Sequence, residues 1–385
     1  MSASNAYLFT DSRYYIQAAR ELDINWTLLR VGWEGVKNWD DWLIVRPAHP
    51  CDTLLTHTHT HTQQDRASGV KIGVDSRLIS YATATKLNTA LTLRASSLVY
   101  PWQNLIDILW KDRPMRPKAP VYIQPPEFTG EDAAAKLSAV RKWIRGATPE
   151  TGVYTTRPPT SAQKPVATFL FGLASIAWVL NLRGADVPFN PVFLAYLFVA
   201  LDRAILFIDV AKVSEEVAAY LRDIGVGLRE YSDVWAFLRS RDWGEGKVRS
   251  IPLPCAVCGA EPPQVLISKD TPYTVPRSLT SLRYTISPAF VEQQKARKND
   301  TEIAGFERAY LRDGAAMVRW YAWLDEKIAH GFEINEYEAA QRLTEFRRRT
   351  ELYEGPAYEA ISAAGPNAGA PSPPALGLNV DFLPL

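Results

Sequence analysis

The chain has 385 residues, 47% hydrophobic and 22% charged, ordinary proportions for a globular protein and enough length for two or three cores. Its 43 Lys and Arg against 42 Asp and Glu leave a net charge of +1 at pH 7, which excludes a surface dedicated to nucleic acid, since that shows as a basic excess. Three cysteines cannot build a disulfide framework.

The opening residues, MSASNAYLFTDSRYY, carry no basic start and apolar run of the signal-peptide kind. The short apolar run Tyr7-Leu8-Phe9 precedes Asp11 and Ser12, either of which can cap a helix running to Leu22. Trp26 to Leu29 and Val70 to Val74 read as strands, with a helix around Tyr81 to Leu91 and a short one at Leu105 to Trp110. A proline-rich connector follows from Arg113 to Pro126, and a second Thr/Pro/Gly-rich linker spans Gly146 to Pro165.

Val166 to Leu180 is the longest apolar run. It falls short of the ~18 residues of a transmembrane helix, so it reads as a buried strand or helix. Phe193 to Val199 and Ala204 to Val210 are β-rich. A helix at Ser214 to Ile224, a strand at Val226 to Arg229 and a helix at Asp233 to Leu238 continue the alternation.

The last region reads as helical. Asn299 with Glu302, and Asn335 with Glu338, have capping-box spacing. Ile303, Phe306, Tyr310, Met317, Trp320, Leu324 and Ile328 keep three-or-four spacing on the first helix, and the second runs to Arg349. Glu338–Arg342 and Glu345–Arg349 are favourably ordered i,i+4 pairs. Arg347-Arg348-Arg349, flanked by Glu345 and Glu351, reads as a solvated face.

Several long motifs then occur in one order. Phe9 to Ala18 (FTDSRYYIQA), Asn25 to Leu28, Val74-Asp75, Trp110 to Pro114 and Arg116-Pro117 resemble the N-terminal domain of cytosolic aminopeptidase P, the Xaa-Pro aminopeptidases. Ala177 to Asp186 (AWVLNLRGAD) and Asn190 to Phe193 are similar to that family's middle domain. Lys298-Asn299, Glu345 to Arg348, Ile361-Ser362 and Gly365 to Asn367 resemble the opening of its creatinase-like, pita-bread domain.

The resemblance implies an α/β chain in five segments. Residues 1–145 form an incomplete creatinase-like N-terminal domain, 146–165 a linker and 166–285 a creatinase-like middle domain. Residues 286–368 begin an incomplete pita-bread (α+β) domain, and 369–385 are an unmatched tail. It further implies a cytoplasmic, oligomeric hydrolase with two Mn²⁺ ions that removes the residue before proline from peptides. In the family two Asp, one His and two Glu hold the metals, and a metal-bound hydroxide attacks the scissile carbonyl. An arginine that contacts substrate corresponds to Arg13, with Ser12 in place of the usual glycine. No counterpart of the five ligands is found as far as Leu385, so no catalytic or metal residue is assigned and the chain alone is expected to be inactive. The alternative is a non-catalytic interaction or dimerisation module, as a homo-oligomer or paired with an intact subunit, with no nucleic-acid or membrane partner.

Other metal-type residues are set aside. His57, His59 and His61 alternate with threonine and would share one strand face, but such a run is also what a CA repeat encodes; it reads as a disordered surface loop. Cys255 and Cys258 have half-zinc-site spacing among prolines, with no second pair, and read as free thiols in a loop. Glu333, Glu336, Glu338, Glu351, Glu354 and Glu359 follow helix surfaces and caps and read as surface.

Overall fold

A computed structural model describes residues 6–44, 69–147, 164–240, 243, 264–280 and 283–364. The His57–His61 run, Cys255, Cys258, the tail and most of the second linker lie outside the described residues. The chain divides into two compact units, one of residues 1–72, 87–98 and 306–385, the other of 73–86 and 99–305.

In chain order the structure begins with β1 (Ala6–Thr10), α1 (Tyr15–Glu21), β2 (Trp26–Arg30), α2 (Trp39–Ile44), β3 (Lys71–Gly73), α3 (Tyr81–Thr92) and β4 (Ser97–Val99). It continues with α4 (Leu105–Leu109), β5 (Tyr122–Ile123), α5 (Pro126–Thr129), α6 (Ala133–Gly146), β6 (Pro165–Leu170), α7 (Leu173–Leu180) and β7 (Leu182–Arg183). Then come β8 (Ala195–Ala200), β9 (Ala204–Ile208), α8 (Glu215–Asp223), β10 (Val226–Glu230), α9 (Val234–Ser240), β11 (Gln264–Ile267) and α10 (Thr274–Leu279). The last are β12 (Tyr284–Ile286), α11 (Phe290–Ala296), α12 (Asp300–Ala329) and α13 (Glu336–Arg348).

In the first unit, β1 and β2 pair in parallel with Leu8 opposite Leu28, joined through α1. Tyr7 and Phe9 project to one side of β1, where the Trp42 ring meets them at 5.0 and 5.5 Å. The unit's capping box forms: Asn335 Oδ1 accepts from Glu338 N at 2.9 Å while Glu338 Oε2 accepts from Asn335 N. That use of Glu338 leaves the expected Glu338–Arg342 pair unmade, and Arg342 instead bonds Glu345. Arg347, expected on a solvated face, bonds Asp313 at 2.6 Å. Glu336 departs from expectation too: it is 2% exposed and accepts a hydrogen bond from the Ala364 amide. Spacing identified its helix position but carried no trace of a partner 28 residues on.

The second unit centres on a six-stranded sheet of order β10-β9-β8-β6-β11-β12. β8 is antiparallel to both neighbours and the other adjacent pairs are parallel. Every residue of β9 is buried, which is why AILFI reads as one apolar run rather than an alternation. Leu197, Val199, Leu206 and Ile208 face one core with α6, α7, α8 and α11. Phe198, Ala200, Ile205 and Phe207 face the other, with α9 and α10. The Val166–Leu180 run is therefore both a strand, β6, and a helix, α7, meeting at Phe171-Gly172. The connector at Arg113–Pro126 holds the short strand β5, and α6 is a full helix just before the second linker.

Two buried cations fasten this unit. Lys212 and Asp186 form an ion pair with both side chains at most 3% exposed. Asp186 Oδ2 also accepts from Leu194 N at 2.7 Å, and its Oδ1 has no partner among the described residues. Lys136, 2% exposed, donates to Asn181 Oδ1 at 2.8 Å and Trp178 O at 3.1 Å, and lies 4.1 Å from the Trp178 ring centroid. Burial pushes its pKa down to about 8. Trp178 Nε1 in turn donates to Glu302 in the first capping box.

Candidate functional site

Arg13 sits in a three-residue fork made by its own neighbourhood. Asp11 is extended and its Oδ1 accepts from the Arg13 amide, an Asx turn that starts the helical segment before α1. The Arg13 guanidinium then folds back, Nε to Oδ1 at 2.9 Å and Nη2 to Oδ2 at 2.7 Å. Such a two-point contact fixes the plane as well as the charge. Nη1 makes no hydrogen bond among the described residues, and the side chain is 63% exposed. The hydrogen bond from Arg13 holds Asp11 down at about 2, so the fork is ionised on both sides at neutral pH. The group is thus aimed, charged and open to a carbonyl or carboxylate oxygen.

The same tripeptide, Asp75-Ser76-Arg77, folds the same way in the second unit. Asp75 accepts from the Arg77 amide at 2.9 Å, from Nε at 3.0 Å and from Nη2 at 2.6 Å. Arg77 Nε also reaches Oδ2 at 3.2 Å, and Asn104 Nδ2 adds a further bond at 3.0 Å. Asp75 is held at about 2, chiefly by the Arg77 side chain and against the opposing effect of burial. Sequence reasoning singled out Asp75 but not Arg77; the repeated Asp-Ser-Arg was the available signal.

Among the described residues no three His, Cys, Asp or Glu side chains come together to hold a metal ion. Those residues therefore do not fit a two-metal centre, which needs converging carboxylates and usually a histidine. Glu336 is committed to the Ala364 amide, while Glu338 is committed to its cap. No helix among the described residues is long and apolar enough to cross a membrane.

Residues 112–302 match the creatinase/prolidase N-terminal domain family. A probable Xaa-Pro aminopeptidase P of Laccaria bicolor is 33% identical over 95% of this chain and 50% of its own length. An uncharacterized peptidase of Schizosaccharomyces pombe is 34% identical over 97% of this chain and 54% of its own. The crystal structure of X-prolyl aminopeptidase from Caenorhabditis elegans, a cytosolic enzyme with a di-nuclear active site, superposes with a TM-score of 0.81 at 26% identity. That match covers 98% of this chain and 54% of the other. The protein thus has a creatinase-like α/β fold, carries the creatinase/prolidase N-terminal domain, and is a relative of the Xaa-Pro aminopeptidases, spanning about half the length of those it matches.

Proposed function

We propose that this chain is the peptide-recognising portion of an Xaa-Pro aminopeptidase, with Arg13 as its substrate-contacting cation, and that it does not hydrolyse peptides by itself. The observation that carries the reading is the Arg13 fork: a guanidinium fixed by Asp11 with Nη1 free, in a chain related to these peptidases over 95% of its length. A donor aimed in advance loses little entropy when a peptide oxygen arrives. The intact architecture is a cytoplasmic Mn²⁺ enzyme acting on peptides with proline second. The absence of a three-ligand cluster among the described residues supports inactivity of this chain alone.

The test uses purified chain, Mn²⁺ and a tripeptide with proline second, and measures release of the first residue. No release above a metal-only blank is expected; chelator-sensitive release overturns the inactivity. In parallel, calorimetry with the same peptide should show about tenfold weaker binding for Arg13→Ala, a loss of ~1.4 kcal/mol. Unchanged binding removes Arg13 from the substrate.

A non-catalytic interaction module, as a homo-oligomer or paired with an intact subunit, is favoured by the same lack of a ligand cluster. Co-purification with an intact aminopeptidase subunit supports it, and a monomer in the presence of that subunit refutes it.

A further inference from the structure

The six-stranded sheet contains a topological switch. From β6 the chain turns into α7 on one face, whereas from the adjacent parallel strand β11 it turns into α10 on the other. Where neighbouring parallel strands feed opposite faces, their carboxyl ends are left uncovered, and open α/β sheets bind ligands in that crevice. Here that crevice is open to solvent. Leu170, Phe171, Ser175, Ser287, Phe290 and Glu292 are on its wall.

Thr168 and Ser268 on its lining are hydrogen-bonded within the protein, but two other polar side chains are unspent. Ser175 is 5% exposed, lines the pocket, and its hydroxyl has no hydrogen-bond partner among the described residues. It belongs to the first turn of α7, whose N-cap is Gly172 with no side-chain cap. The first main-chain bond of that turn is Ile176 N to Gly172 O, so the amides of Leu173, Ala174 and Ser175 have no intrahelical acceptor. Across from them the Glu292 carboxylate is exposed and likewise makes no hydrogen bond or ion pair among the described residues. A Cβ placed on Gly172 would stand 3.5 Å from Ser175 Oγ and 3.7 Å from Glu292 Oε1. The Ser175 hydroxyl and the Glu292 carboxylate therefore converge on one small volume beside the start of α7. The Phe290 ring, stacked on Trp143 at 5.0 Å, gives that volume an apolar wall.

We propose that this crevice binds a small apolar α-amino acid. Its carboxylate would lie at the open amides of α7 and the Ser175 hydroxyl, its ammonium at Glu292, and its side chain against Leu170, Phe171 and Phe290. A free anion is disfavoured by Glu292 and a free cation by the positive end of α7, so the two opposite demands select a zwitterion. The assignment stands on this unit's geometry and does not rest on the peptidase reading. If both hold, the ligand belongs to the product class of that reaction.

Calorimetry of the full chain with L-leucine tests it, beside N-acetyl-leucine, which lacks the ammonium, and leucinamide, which lacks the carboxylate. Saturable leucine binding in the millimolar range or tighter is expected, weakened about tenfold by either modification. Glu292→Gln should weaken leucine about tenfold yet strengthen N-acetyl-leucine, whose carboxylate no longer faces a like charge. Gly172→Leu fills the volume without backbone strain, since its Cβ makes only ordinary contacts; it should abolish binding while melting like the native chain. No leucine binding at ~10 mM, or native affinity in Glu292→Gln or in folded Gly172→Leu, overturns the proposal.

Discussion

Replacing Lys212 by methionine should be among the most damaging single changes in the sheet unit. The Lys212 and Asp186 side chains are at most 3% exposed, and Asp186 already has one oxygen without a partner among the described residues. Removing the ammonium leaves a buried carboxylate facing apolar neighbours, with only the Leu194 amide to support it. Loss of one member of such a pair costs roughly 3–5 kcal/mol. With a urea m-value of ~2–3 kcal/mol/M for a unit of this size, the midpoint falls by roughly 1–2 M. Equilibrium unfolding in urea, followed by circular dichroism, measures it. The double variant Lys212→Met with Asp186→Asn keeps an oxygen for the Leu194 amide but removes the stranded charge, and should recover about 2 kcal/mol of the loss. A single-variant loss below ~1 kcal/mol, or a double variant no more stable than the single, refutes the account.

Lys136 has a pKa of about 8 in the folded chain against about 10.4 unfolded. Between those values the unfolded chain holds more protons, so stability should rise as pH goes from about 8 to about 10.4. The effect is on the order of 2–3 kcal/mol across that window. Lys136→Met should lose that rise when urea midpoints are compared at both ends of the window. Gly130 has φ of +65°, and an added Cβ would meet Asn299 Oδ1 at 2.6 Å and Thr301 at 2.8 Å. Gly130→Ala should therefore cost about 2–4 kcal/mol, visible as a fall of roughly 5–15 °C in melting temperature. Glu336→Ala removes the acceptor of the buried Ala364 amide. Faster hydrogen exchange at Ala364 and a loss of about 1–3 kcal/mol are expected; unchanged exchange there would show that the contact is not formed in solution.

What the sequence disclosed was mostly what is local. Both capping boxes were visible because donor and acceptor stand three residues apart, and both form. The strand–helix break inside Val166–Leu180 was not, because β6 is buried or half-buried throughout and α7 is exposed only at Ala174, so the apolar residues run on without a clear period. α6 is not among the expected elements, although Asp132 capping Ala135 and Leu137, Val140 and Ile144 at three-and-four spacing mark it in the sequence. On α12 the apolar spacing was real, but Ile303, Phe306 and Tyr310 are 45–75% exposed; periodicity says which side chains share a face, not what covers it. Arg13 was found through likeness to relatives, while its fork on Asp11 and the twin at Asp75–Arg77 needed coordinates. The switch-point crevice joins residues 168–175 to 267–292 and has no linear signature.

The Asp-Ser-Arg fork closes a hydrogen-bonded ring within three residues. Ordering so short a segment demands almost no loop closure, and closure at this scale is far faster than the pairing of distant strands. The direction of the guanidinium is therefore written into the tripeptide rather than conferred by the finished domain. It also tolerates drift in the flanking strands, and it can be carried as a cassette into another extended-to-helix junction, where Asp and Arg two positions apart would again present one free nitrogen outward.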